Sequence, residues 1–295
     1  MYKRMLVPLD GSELSEVVFP YAKELAGRLD LEIVLLHVHN PEESETLPLH
    51  QAYIERKVEV MARQTEEMRQ RMGIGQQAKA VQVRGELVAG YPAEEILRYA
   101  DENDVGFILM ATHGRSGIRR WVLGSVAEKI LQASKIPVWL VRAGVPAEVV
   151  YDKWPRITML VPLDGSELAE AVLPHVKTLA KQQGIEQMDV VLFGVAEPSV
   201  GSVYYIPNVP TTLEEMKEYL AKIEKRLKDA GLTVKSEARR GNPAEQIIEY
   251  AGENPFNLIV MSTHGRSGLG RWVFGSVADK VLHGASSPVF LVRPQ

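Results

Sequence analysis

Two glycine-containing segments carry the residue types that a phosphate-binding turn requires. Ala111-Thr-His-Gly114 precedes Gly124-Ser125 by nine residues, and Ser262-Thr-His-Gly265 precedes Gly275-Ser276 by the same spacing. Each segment follows an apolar run and ends where an amphipathic stretch begins, which indicates a turn from a strand to a helix. Glycine lets the backbone approach a ligand closely, and the N–H groups at a helix start attract anions. The pattern therefore predicts a phosphate-binding turn in each segment.

Basic residues and a competing capping pattern occur in the same segments. Arginines would add positive charge near a phosphate, and they are Arg115, Arg119 and Arg120 in the first segment and Arg266 and Arg271 in the second. Ser125-Val-Ala-Glu128 also fits a capping box, and Ser276-Val-Ala-Asp279 is a weaker version of it. One alternative is therefore that Ser125 caps its helix and has no role in binding. A capped helix can still offer its other N–H groups to a phosphate.

A second repeated group places a carboxylate after the first apolar run. Asp10-Gly-Ser-Glu13 recurs as Asp164-Gly-Ser-Glu167. In open α/β sheets, ligands bind outside the carboxyl ends of the strands, where the strand order reverses. If the first and fourth strands are neighbours there, Asp10 faces the Gly114 segment, and its carboxylate can accept from a base amino group or a ribose hydroxyl. The alternative is that Asp10 and Glu13 form a capping box.

Other kinds of site find less support in the sequence. No phosphate-binding P-loop, dinucleotide fingerprint or nucleophile elbow occurs, and the chain has no Cys. His113 and His264 lack an evident carboxylate or nucleophile partner, which favours a structural role. His37 and His39 share one face of a strand, but only one half has them. We therefore expect neither a metal site nor a catalytic residue.

The elements that would position these residues alternate between strands and helices. In the first half, the apolar periodicity predicts strands at Met5–Leu9, Ile33–Val38, 78–83, Phe107–Ala111 and Val138–Val141, and helices at Glu13–Leu29, 51–72, Pro92–Ala100 and Ser125–Ala133. The second half follows the same order from Thr158 to Val292. Such alternation is typical of a parallel α/β sheet.

The chain is an internal duplication. Met5-Leu-Val-Pro-Leu-Asp-Gly-Ser-Glu-Leu14 recurs as Met159 to Leu168, and Thr112-His-Gly-Arg-Ser-Gly117 recurs as Thr263 to Gly268. A length of 295 residues is also that of about two domains. We predict a first domain over residues 1–144, a linker over 145–155 that contains prolines, and a second domain over 156–295.

Composition narrows the function classes. With 34 Lys and Arg against 38 Asp and Glu, the net charge is −4, so the chain lacks the basic surplus of a domain that binds nucleic-acid backbones. The sequence shows neither a signal-peptide core nor an apolar run long enough for a membrane helix, so we expect no membrane partner and a cytoplasmic location.

Four groups of residues, in order and in both halves, together resemble the universal stress protein family. In the first half they are Val7-Pro-Leu-Asp-Gly-Ser-Glu13, Leu36-His-Val38, Gly90-Tyr-Pro-Ala-Glu-Glu-Ile96, and Met110 to Gly117 continued by Gly124-Ser-Val-Ala-Glu-Lys129. The chain is thus similar to a tandem member of this family, in its ATP-binding branch. The resemblance implies two open, Rossmann-like sheets of the adenine nucleotide alpha hydrolase type. Each would have five parallel strands in the order 3-2-1-4-5 with helices on both faces.

The resemblance also implies an ATP site in each half, able to take AMP or ADP and to admit Mg²⁺ with the phosphates. The residues it assigns to the first site are Pro8, Leu9, Asp10, Val38, Met110, Ala111, Gly114, Arg115, Gly124, Ser125 and Val126. Those it assigns to the second are Pro162, Leu163, Asp164, Val195, Met261, Ser262, Gly265, Arg266, Gly275, Ser276 and Val277. The family's motif begins with a glycine, for which this chain has Ala111 and Ser262.

Three functions fit these residues. The first is a nucleotide-dependent regulatory or stress-response module that acts on an unidentified protein partner. The second is a slow ATPase, for which neither a phosphate-loop carboxylate nor a phosphate-binding lysine is present. The third is a protein-interaction module that binds no nucleotide, which the replacements at Ala111 and Ser262 favour. The resemblance further implies pairing through the last strands, either between the two halves as an internal pseudo-dimer or between two chains as a homodimer.

Overall fold

The computed structural model describes residues 1–42, 44–71, 73, 80–112, 123–142, 157–184, 188–197, 209–254, 258–264 and 275–294. These residues form two compact units, residues 1–153 and 154–295. The first unit contains, in chain order, β1 (Arg4–Leu9), α1 (Glu13–Glu16), α2 (Phe19–Leu29), β2 (Glu32–His39), α3 (Leu47–Arg71), β3 (Val83–Ala89), α4 (Pro92–Glu102), β4 (Phe107–Ala111), α5 (Ser125–Ala133) and β5 (Val138–Val141). A short 3₁₀ turn at Ser44–Thr46 precedes α3.

The second unit repeats this order of elements. It contains β6 (Ile157–Pro162), α6 (Glu167–Glu170), α7 (Leu173–Gln183), β7 (Met188–Ala196), α8 (Leu213–Lys228), β8 (Thr233–Arg240), α9 (Pro243–Glu253), β9 (Leu258–Ser262), α10 (Ser276–Gly284) and β10 (Val289–Val292). The duplication seen in the sequence is therefore a duplication of the fold.

Each unit is built on five strands with a shared order. The first unit runs β3-β2-β1-β4-β5, and the second runs β8-β7-β6-β9-β10, with parallel pairing throughout the strands described. This confirms the predicted order 3-2-1-4-5 and makes β1 and β4 neighbours. Every residue of β4 and of β9 is buried, as the continuous apolar runs of a sheet covered on both faces require. Helix α4 packs on α5, and α2 packs on α3.

The single helix predicted over Glu13–Leu29 was wrong, because the chain forms two helices there. Helix α1 ends at Glu16, and α2 begins at Phe19 with Pro20 in its first turn. Pro20 has no N–H to donate, and its ring would clash with the carbonyl of Glu16 in a continuous helix. Pro174 causes the same break in the second unit.

The third strand was also misplaced. The alternation over 78–83 predicted it there, but β3 spans Val83–Ala89 and residues 80–82 are not strand. β3 lies at one end of the strand order and is half-buried, with Arg84 and Glu86 among its residues. An edge strand with charged side chains gives a weak apolar period, and the local alternation before it was stronger.

Candidate functional site

The turn after β1 presents the carboxylate of Asp10 in a fixed position. Oδ1 of Asp10 accepts hydrogen bonds from the backbone N of Ser12 at 3.0 Å and from its hydroxyl at 2.6 Å. Ser12 Oγ in turn accepts from Ser15 N at 3.2 Å and is the cap of α1. Asp10 is therefore not the helix cap, which excludes the alternative role considered for it. Gly11, with φ of +82°, supplies the left-handed conformation that this turn needs.

The second unit builds the same turn. Asp164 Oδ1 accepts from Ser166 N at 2.9 Å and from Ser166 Oγ at 2.6 Å, and Ser166 Oγ caps α6 by accepting from Ala169 N at 3.1 Å. Both carboxylates are thus held by the hydroxyl that caps the following helix.

A hydrogen bond between the two ends of the glycine-containing segment places α5 beside β4. Gly124 N donates to Thr112 O at 2.9 Å, and Thr112 N donates to Val141 O of β5 at 2.9 Å. Gly275 N and Thr263 O form the matching bond at 2.8 Å in the second unit. In each unit, this hydrogen bond therefore holds the start of the helix at the C-terminal end of the preceding strand.

Helix α5 begins without a side-chain cap. Gly124 is its N-cap, and Ser125 is its first helical residue, so the interpretation of Ser125 as a capping residue was wrong. Helix α10 begins in the same way at Gly275. Because the first N–H groups of a helix have no intrahelical acceptor, those of Ser125, Val126 and Ala127 can donate to an anion. The N–H of Gly124 cannot, since Thr112 O already accepts from it.

Each unit has a cavity between these two features. The cavity of the first unit, which we call cavity 1, has a volume of about 320 Å³. It is lined by Pro8, Leu9, Asp10, Ser15, Leu36, Val38, Pro92, Ile96, Met110, Ala111, Thr112, Gly124, Ser125, Val126 and Ala127. Apolar side chains form most of this wall, with a carboxylate on one side and the start of α5 on the other.

The cavity of the second unit, cavity 2, has a volume of about 250 Å³. It is lined by Pro162, Leu163, Asp164, Ala169, Phe193, Val195, Glu197, Pro243, Ile247, Met261, Ser262, Thr263, His264, Gly275, Ser276, Val277 and Ala278. Ser262 Oγ accepts from His264 N at 3.3 Å, so the hydroxyl at this position is bound to its own turn.

Every described residue of the two predicted sites lines one of these cavities. Gly114, Arg115, Gly265 and Arg266 lie outside the described residues, as do His113, the linker over 145–155 and the remaining arginines of the two segments. Ala111 and Ser262, which stand for the first motif glycine, are buried cavity residues with 7% exposure each.

Sequence reasoning missed part of the cavity walls. Pro92 and Ile96 of α4 reach cavity 1 from a distant part of the chain, and Leu36 joins Val38 on the same face of β2. The alternation of β2 could have identified Leu36, because side chains two residues apart share a face. Pro92 and Ile96 belong to a segment that carried the family resemblance without being assigned a role.

In the first unit, hydrogen bonds through His37 and His50 connect the end of β1 to the segment before α3. His37 Nδ1 lies 2.8 Å from Leu9 O, His37 Nε2 lies 2.8 Å from His50 Nδ1, and His50 Nε2 lies 3.2 Å from Thr46 Oγ1. Because a carbonyl can only accept, His37 Nδ1 donates to Leu9 O. With both rings neutral, His37 Nε2 accepts from His50 Nδ1, and His50 Nε2 accepts from the Thr46 hydroxyl. His37 is 2% exposed, so these hydrogen bonds join the end of β1 to the start of α3 from inside the unit.

A second contact ties α1 to α3. Glu16 Oε1 accepts from the hydroxyl of Tyr53 at 2.9 Å, and Glu16 Oε2 accepts from Lys57 Nζ at 2.6 Å. Glu170 accepts from the hydroxyl of Tyr219 at 3.2 Å in the second unit. Burial, together with the charge of Glu170, raises the pKa of Tyr219, so this phenol remains a donor. The helix that follows each aspartate turn is thereby anchored.

No group of three or more acidic, His or Cys side chains in the described part of the chain is arranged to hold a metal ion. Among the same residues, no helix is both long and apolar enough to cross a membrane.

Comparison with known proteins agrees with this duplicated architecture. The model of the Universal stress protein family matches residues 1–142 and again residues 157–293. The chain belongs to the universal stress protein family. Because the match occurs once in each unit, this universal stress protein is a tandem member.

Individual relatives match one half or the whole chain. Universal stress protein MJ0531 of Methanocaldococcus jannaschii is 32% identical over 139 residues, which are 46% of this chain and 81% of the relative. Universal stress protein MJ0577 of the same organism is 32% identical over 155 residues, 48% of this chain and 96% of the relative. The crystal structure of a universal stress protein from Archaeoglobus fulgidus covers 98% of both chains with a TM-score of 0.67 and 24% identity, which supports the fold.

Proposed function

We propose that this universal stress protein binds an adenine nucleotide in each unit, and that nucleotide occupancy controls its interaction with a protein partner. ATP is the expected ligand of cavity 1. The observation that carries the proposal is the pairing, in both units, of a fixed carboxylate with an uncapped helix start across one largely apolar cavity.

The chemistry of the cavity walls supports a base, a ribose and a phosphate in that order. Apolar side chains of β2, β4 and α4 suit the faces of a purine. Asp10 Oδ1 is held by Ser12, which orients the carboxylate to accept from a hydroxyl or amino group. The N–H groups at the start of α5 then suit a phosphate, since the helix dipole favours negative charge there.

The first test is the nucleotide that the purified protein carries and rebinds. Acid-released material is separated by chromatography and identified by its spectrum, and binding of ATP to stripped protein is measured by calorimetry with and without Mg²⁺. Asp10→Asn combined with Asp164→Asn replaces the aspartate carboxylate of each cavity with an amide of the same size. Glu59→Gln, an exposed residue of α3, is the matched control for the loss of a carboxylate.

We expect bound adenine nucleotide in the wild type and in Glu59→Gln. We expect roughly tenfold weaker ATP binding in the double variant, because hydrogen bonds to a charged group are lost. If neither retained nor added adenine nucleotide is detected, the interaction module that binds no nucleotide replaces this proposal. Pairing through the last strands stays a prediction, and sedimentation equilibrium with and without ATP tests whether two chains associate.

A further inference from the structure

The two cavities differ in charge at equivalent positions. The register aligns Leu36 with Phe193, because Leu36 pairs with Pro8 and Phe193 pairs with Pro162. Four residues further on, the first unit has Asn40 and the second has Glu197. Glu197 lines cavity 2, whereas Asn40 does not line cavity 1. Cavity 2 is therefore bordered by two carboxylates, those of Asp164 and Glu197, where cavity 1 has one.

No cation among the described residues lies close enough to Glu197 to neutralise its charge. Within the described residues, Glu197 forms no ion pair, and neither Lys nor Arg lines cavity 2. Among the described residues, cavity 2 therefore repels a polyanion more strongly than cavity 1 does.

The two cavities also differ in size. Cavity 2 measures about 250 Å³ against about 320 Å³ for cavity 1. Phe193 is fully buried and stacks on Tyr250, with ring centroids 4.6 Å apart, so its ring is held in place by its neighbour. The larger side chain at this position leaves less room than Leu36 leaves in the first unit.

From these differences we infer that the two units differ in their preference among adenine ligands. Relative to cavity 1, cavity 2 favours an adenine ligand of lower negative charge, a nucleoside or nucleoside monophosphate, over the triphosphate. Two carboxylates favour the hydroxyl and amino donors that such a ligand offers, while they repel each added phosphate. Glu197 is the residue that sets this preference. The inference rests on the proposed function, since it assumes that both cavities take adenine ligands.

Two methionines make the units separately observable in the intact chain. Met110 lines cavity 1 and Met261 lines cavity 2, and both are buried. Protein labelled with ¹³C at the methionine methyl groups is titrated with ATP and, separately, with AMP. Met110→Leu and Met261→Leu identify the two signals among the ten methionines. Each titration then yields one dissociation constant per unit.

The measured quantity is the ratio of AMP to ATP dissociation constants in each unit. ATP carries about two more negative charges than AMP, and an extra carboxylate within about one Debye length weakens ATP roughly threefold relative to AMP. We expect the ratio at Met110 to exceed that at Met261 by about threefold or more. Glu197→Asn, which copies the first unit, should raise the ratio at Met261, and added salt should narrow the difference.

Three other results have distinct meanings. Equal ratios in both units, or a ratio at Met261 that Glu197→Asn leaves unchanged, overturn the inference while leaving the proposed function intact. A larger ratio at Met261 than at Met110 overturns the inference outright. If neither signal moves with any adenine ligand, the proposed function itself fails, and the inference fails with it.

Discussion

Replacing His37 by Ala tests whether the hydrogen bonds through His37 hold the end of β1. The change removes the donor to Leu9 O and the acceptor for His50 Nδ1. Each of the two lost side-chain hydrogen bonds costs about 0.5–1.5 kcal/mol, and the space left by a side chain that is 2% exposed adds to this. We expect the free energy of unfolding of the first unit to fall by about 3 kcal/mol in total.

Hydrogen exchange read by mass spectrometry separates the two units within one chain. Peptides that cover β1 and β2 should exchange roughly a hundredfold faster in His37→Ala, while peptides that cover β6 and β7 should be unchanged. His39→Ala is the matched control, because His39 lies on the same strand and its ring stacks on His50, but among the described residues its only hydrogen bond is to the adjacent Asn40 O, at 3.1 Å. If the two variants accelerate exchange equally, the hydrogen bonds through His37 do not stabilise the end of β1, and the reasoning is refuted.

Four further predictions concern the second unit. Thr212→Ala removes the hydroxyl half of a capping box and should cost about 1 kcal/mol by urea unfolding. Backbone N–H donors lower the pKa of Glu215 in this box, so its contribution is present at neutral pH and is lost as pH falls through that lowered pKa; Glu215→Gln should abolish this acid dependence. Burial lowers the pKa of His175 below its ordinary 6.5, so stability should fall as pH drops from that value through the lowered pKa, and His175→Tyr should flatten unfolding curves measured over this range. Gly194→Ala places a Cβ 2.7 Å from Met216 Cγ and should lower the melting temperature, at a cost of about 1–3 kcal/mol. An unchanged melting temperature would mean that Met216 moves aside freely.

The close packing over Gly194 also explains why the second unit has no counterpart of His37. Gly194 stands in β7 where β2 has His37, and side chains of α8 fill the space above it. A side chain at 194 would displace Met216 and Leu220. The two units thus use the same position differently: one holds a buried polar connection, and the other lets a helix approach the sheet closely.

Much of the candidate site could be read from local spacing. Asp10 and Gly124 each lie within a few residues of a strand end or helix start, and the chain's own geometry places such residues at one edge of a parallel sheet. The role of Ser125 was harder to assign, because the sequence Ser-Val-Ala-Glu fits a capping box whether the serine is the N-cap or the first helical residue. Only the backbone conformation of Gly124 distinguishes the two positions.

The duplication, the order of the elements and the location of the cavity-lining turns can be predicted from the amino-acid sequence, because repeats, apolar periodicity and turn residues are local properties of the chain. The three-dimensional fold sets which distant residues complete each cavity. Pro92 and Ile96 reach cavity 1 only through the packing of α4, and Leu9 meets His37 only through the register of β1 on β2. It also decided that Phe193 and Glu197 border cavity 2, since side-chain volume and charge act on a ligand only once the fold has brought them to the same space.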